Sequence, residues 1–192
     1  MGKILQSLQN TVIAGVVLAI IVFAAATSGF SSIAVDHGYL ARYLHVISGV
    51  MWIGLLWYFN FVQIPTMPSI PDELKPAVGK HIAPAALFWF RWGAMATLIT
   101  GLWLIGPNLV DALTVTEGFR LIGIGMWLAI IMWFNVWFVI WPNQKIALGI
   151  VEADPALKPK AARTAMLFSR TNTMLSIPML LCMTGQQNGL GF

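Results

Sequence analysis

Apolar residues in this chain fall into five long runs, at about 10–30, 40–64, 83–106, 119–141 and 164–184, each bounded by glycine, proline or charge. A helix of about 20 apolar residues crosses the roughly 30 Å hydrocarbon layer of a bilayer. The pattern therefore predicts an all-α integral membrane fold, a five-transmembrane-helix bundle read as one domain over residues 1–192. The first run follows Lys3 and ends in "AAATSG", as a secretory leader can; here it is read as a retained membrane helix. Between the last two runs, "KIALGIVEADPALKPKAAR" predicts a short surface helix broken at Pro155.

Charge gives these runs a direction. Lys3, Lys75, Lys80, Lys145, Lys158, Lys160 and Arg163 lie on one side of the predicted spans, and only Arg42 and Arg120 on the other. The positive-inside rule then puts the amino terminus in the cytoplasm, and an odd number of spans puts the tail "GQQNGLGF" on the periplasmic side. Composition agrees, with 58% apolar and 9% charged residues against about 25% charged in soluble domains. The net charge of +4 does not signal nucleic acid, because the basic residues are scattered among apolar spans instead of forming a stripe. Lipid is the expected surrounding. The nine tryptophans cluster toward span ends; an interfacial belt accounts for them, with a cofactor cage as the alternative.

Arg91 in "LFWFRWG" and Arg170 in "SRTNT" both count to roughly 10 Å inside the cytoplasmic boundary at 1.5 Å per residue. Asn60, Asn135 and Asn172 fall near the same level, and no carboxylate does. A guanidinium in hydrocarbon costs roughly 3 kcal/mol or more, so each needs a partner. Carbonyls, the three amides or headgroups reached by snorkelling would serve; so would an external planar anion, a lipid phosphate or a partner chain's acid. Pro178 removes a backbone donor within the last run and favours a kink above this cluster.

The histidines offer a second chemistry. His45 sits about one turn inside the outer end of the second run, and in "HVISGVMW" the small residues Ser48 and Gly49 and then Trp52 follow on its face. Neutral imidazole is a good iron ligand, and a flat ring could approach the backbone there; a hydrogen-bonded packing role is the other reading. His37, expected in the outer loop, is a candidate second ligand, whereas His81 beside Pro84 reads as a helix-end residue. Cys182 is the only cysteine, so there is no disulfide, no Cys-x-x-Cys knuckle and no C-x-x-C-H site for covalent haem.

The stretches "LHVISGVMWIGLLWYFNFVQIP", "WPNQK" and "SRTNTMLSIPMLL" resemble the membrane part of the bacterial urate hydroxylase family, over roughly residues 39–184. That family joins a helical membrane domain to a cytochrome c domain. The first stretch also resembles the opening helix of haem-binding membrane protoporphyrinogen oxidases, where a histidine is followed seven residues later by tryptophan, a pattern that lands on His45 and Trp52. The resemblance implies a redox protein of the bacterial inner membrane, and an oxidoreductase if it is an enzyme. Haem b would be held non-covalently by His45, with Arg42 or Arg120 as propionate partners. Urate, a planar anion, would be oriented by Arg91, Arg170, Asn60, Asn135 and Asn172. These 192 residues contain no C-x-x-C-H, so a separate cytochrome c or similar carrier is the expected acceptor. The lysine ligand implied by the oxidase comparison has no counterpart in the outer half of the spans, and Arg120 stays protonated and cannot ligate iron. The alternative is a non-catalytic transmembrane subunit of a larger respiratory or photosynthetic complex. An anion transporter finds no inverted repeat to support it, and no nucleophile sits with a base for hydrolysis.

Overall fold

A computed structural model describes residues 2–26 and 37–188, and every regular element within them is helical. Residues 27–30 of the first predicted span, Asp36, and residues 189–192 of the tail lie outside the described residues. The chain divides into two compact units, residues 1–40 and 41–192. In the first, helix α1 (Leu8–Ala26) follows a short turn, Gly2–Leu5. Phe23 stacks on Tyr39 with ring centroids 5.6 Å apart.

Helix α2 (His37–Trp57) begins in the first unit and continues into the second. There it is joined by α3 (Ala83–Ile105), α4 (Arg120–Phe134) and α5 (Lys158–Gln187). Prolines that the sequence places at the joins do not end these helices. The helical path runs through π-helical turns at Tyr58–Gln63, Val78–Ile82 and Asn135–Ile140, and each is followed within two residues by a proline: Pro65, Pro84 and Pro142. Proline cannot donate to the carbonyl four residues back and its ring crowds that carbonyl; a turn wound one residue wider relieves both conflicts without breaking the rod.

This also corrects the short surface helix expected after the fourth span. Its first three residues, Lys145–Ala147, belong to the extension Trp141–Ala147 of α4, and Lys158–Arg163 open α5. Between them lies a single turn, Pro155–Leu157, whose Ala156 amide donates to the Asp154 carboxylate at 2.9 Å.

Four stretches are long and apolar enough to cross a membrane, namely Leu8–Ala25, His37–Ser69, Lys75–Leu113 and Arg120–Ala147. They mark a multi-pass membrane protein. Helix α5 has the length, at 30 residues, but not the apolar composition. Its buried face explains why: Ala161, Ala165, Ser169, Asn172, Ser176, Met179 and Cys182 recur every three or four residues and are mostly small or polar, while Leu167, Phe168, Met174, Ile177 and Leu181 are exposed. Small side chains let membrane helices approach closely, because lipid supplies no hydrophobic drive for association.

The core of the second unit gathers Trp52, Leu56 and Phe59 from α2 and its continuation, Leu87, Phe90 and Ala94 from α3, and Met132, Val136 and Ile140 from the α4 rod, against Ala165 and Met179 of α5. Phe59 and Phe90 meet edge to face at 5.7 Å. Two glycines set the spacing. A Cβ on Gly93 would lie 3.2 Å from the Trp52 nitrogen, and one on Gly125 would lie 2.8 Å from the Cβ of Cys182. Helix α3 ends where Gly106 takes a positive φ of 51°, a conformation that costs glycine least.

Gly125→Ala is expected to force α4 and α5 apart at a cost of about 1–3 kcal/mol, the usual range for overpacking. Thermal unfolding in mild detergent should show a lowered midpoint for this variant, and no change for Gly15→Ala, where an added Cβ meets nothing within 4 Å.

Candidate functional site

A cavity of about 680 Å³ opens among α2, α3, α4 and α5. Its size falls within the roughly 300–1,000 Å³ typical of cofactor and small-molecule sites. The walls are mainly apolar, and the polar exceptions are few: Arg42, His45, Thr97 and Gln186 among them.

His45 is the best-anchored of these. Its Nδ1 lies 3.0 Å from the Thr97 carbonyl oxygen and 3.3 Å from the Thr100 hydroxyl. A carbonyl only accepts, so Nδ1 carries the proton and Nε2 is left with its lone pair. Thr100 spends its own hydroxyl proton on the Ala96 carbonyl at 2.6 Å, which leaves its oxygen free to accept as well. This is the tautomer and the fixing contact that metal-ligating histidines use. Gly101 completes the seat, since a Cβ there would stand 2.9 Å from the imidazole Cε1.

Trp52, 1% exposed, lines the cavity one side deeper, and its indole Nε1 has no hydrogen-bond partner among the described residues. A buried donor left unpaired costs about 1–3 kcal/mol, and an acceptor entering the cavity would remove that penalty. Gly49 and Gly54 add no side chain to the α2 wall of the cavity. Arg42 lines the cavity; Arg120, exposed at the start of α4, does not. His37 is corrected from a loop position to the first turn of α2. His81 is exposed.

The two arginines expected to act together have different surroundings. Arg91 is half-buried; its Nε donates to the Leu87 carbonyl at 3.2 Å, and its guanidinium carbon sits 3.3 Å from the Trp141 ring centroid and 5.8 Å from that of Trp137. Lys145 approaches Trp141 as well, at 5.7 Å. The quadrupole of the indole supplies the counter-charge, worth up to about 2 kcal/mol when water is excluded. Arg170 is exposed, off the buried stripe of α5. The sequence argument, in which both guanidiniums lack any partner of their own, thus gives way to an aromatic and main-chain setting for Arg91.

The three asparagines do come to α5, but as fasteners between helices. Asn60 donates to the Leu56 carbonyl at 2.9 Å and to the Ser169 hydroxyl at 2.8 Å. Asn135 donates to Asn172 at 2.8 Å, and Asn172 in turn to the Met132 carbonyl at 2.9 Å. One level outward, Trp57 donates to Ser176 at 3.0 Å, and Ser176 passes its proton to the Thr173 carbonyl.

Residues 112–192 match the family model described as urate oxidase N-terminal. No curated protein matches the chain, and no solved structure does. The family segment takes in α4, α5, "WPNQK" and "SRTNT", and with them one wall of the cavity; His45, Trp52 and Thr97 lie before it. Thr97, Thr100 and Gly101, which seat His45, were not singled out in the sequence. Their spacing on one face of α3 is the signal that points to them, once His45 is taken as the residue to be held.

Asn172→Leu strands the Asn135 amide and the Met132 carbonyl, and is expected to cost about 1–3 kcal/mol. A fall in the detergent unfolding midpoint checks this, with Arg170→Gln as a comparison expected to leave the midpoint unchanged.

Proposed function

We propose that this protein, which matches the urate oxidase N-terminal family over residues 112–192, is a redox protein of the bacterial inner membrane that holds haem b non-covalently in the cavity beside His45. All five helices span the bilayer in this reading. The exposed apolar face of α5 meets lipid while its polar face stays inside the bundle, the amino terminus is cytoplasmic, and the cavity lies toward the periplasmic side.

The observation that carries the proposal is the tethered imidazole: Nδ1 fixed on Thr97, Nε2 free, in a 680 Å³ cavity. His45 would supply a nitrogen ligand, Arg42 a cation for a propionate, and Trp52 a donor for an acceptor that enters the cavity. A bound haem supplies one-electron transfer. The chain's own part is to orient the ring, exclude water with its apolar walls and hold the imidazole in one tautomer. The family match makes urate the first reductant to test, and a separate c-type cytochrome the first acceptor. The inner group of Arg91, Asn60, Asn135 and Asn172 supports the scaffold in this reading.

The chain expressed with haem precursors and purified in mild detergent should show a Soret band and a positive pyridine hemochromogen assay. His45→Ala should lose both at unchanged protein yield. Colourless wild-type protein overturns the proposal; if it also travels only with a larger membrane assembly, the subunit alternative takes its place.

A further inference from the structure

We infer that the thioether of Met183 is the second axial ligand of the iron held by His45. The inference rests on the haem reading above and deepens it. The cavity wall facing α2 carries Met126, Met179 and Met183, and the residues lining the cavity include no lysine, cysteine, carboxylate or second histidine. Among the described residues lining the cavity, thioether sulfur is therefore the candidate second donor, and histidine with methionine is an established ligand set for haem iron.

Helix register selects among the three. The contacts Trp57 to Ser176 and Asn60 to Ser169 show that α2 and α5 run antiparallel. Counted at about 1.5 Å per residue from the Trp57–Ser176 contact, His45 stands about 18 Å along α2, Met183 about 10 Å along α5 and Met179 about 5 Å; counted from the Asn60–Ser169 contact the three stand at about 22, 21 and 15 Å. Met183 is the nearest in height. It is also only half-buried, whereas Met179 and Met126 are buried. The flexible methionine stem can take up the remaining gap.

A neutral histidine and thioether pair favours ferrous iron and raises the reduction potential. It also closes both axial positions, which suits a carrier of single electrons and not a site for oxygen.

The test uses the full chain, haem-loaded in detergent, with three readouts: Soret absorbance per protein, the long-wavelength sulfur-to-iron charge-transfer band of the ferric form, and the midpoint potential. Wild type should show the band. Met183→Leu should keep the Soret absorbance, lose the band, shift the potential downward and admit carbon monoxide to the ferrous form. Met183→His should stay six-coordinate without the band, which keeps the assignment testable if the leucine variant folds poorly. Met174→Leu, at an exposed site on α5, should change nothing. A band that survives Met183→Leu, one lost instead in Met179→Leu, or haem-loaded wild type without the band overturns the ligand while leaving haem binding at His45 intact. Colourless wild type removes both.

Discussion

Asn172, with no exposed surface, accepts from Asn135 and donates to the Met132 carbonyl, and the packing of α5 against α4 depends on that pair of bonds. In hydrocarbon a polar side chain has no water to fall back on, so its partner must come from the protein. The energy of one such bond between membrane helices is small, averaging about 0.6 kcal/mol. Its value lies in register. A slide of α5 by one residue would leave three polar atoms buried and unpaired, and the same slide would carry Ser169 away from Asn60 and Ser176 away from Trp57.

Close approach recurs along the bundle: α5 meets α4 at Gly125, and α3 meets α2 at Gly93 and again at Gly101 beside His45. Asn60, Asn135 and Asn172 fasten helices to one another, while His45 both bonds α3 and lines the cavity.

Much of this was legible in the sequence and some was not, for identifiable reasons. Length and apolarity gave the helices almost to their ends. His45 and Trp52 stood out because an isolated imidazole and an indole at helical spacing are unusual among aliphatic neighbours, and both line the cavity. For Arg91 the sequence reading offered carbonyls, amides, headgroups and anions as partners and left out an aromatic ring, which Trp141, fifty residues away, supplies. Arg170 was placed by depth along the helix, but depth says nothing about azimuth, and the buried stripe of α5 passes beside it. The fastening role of the asparagines was invisible for the same reason. Prolines were read as helix ends because a chain-local rule cannot see that a widened turn absorbs them.

Those widened turns have a consequence for how the sequence of this scaffold can vary. Each π-helical turn is in effect an α-helix with one residue added. Removing a single residue from Asn135–Ile140 would rotate everything beyond it by about 100°, so that Trp141 would turn from Arg91 toward lipid while α4 above the turn kept its place. A one-residue deletion there is therefore a switch of facing, not a shortening, and the proline that follows is the mark by which such a site can be found in related chains.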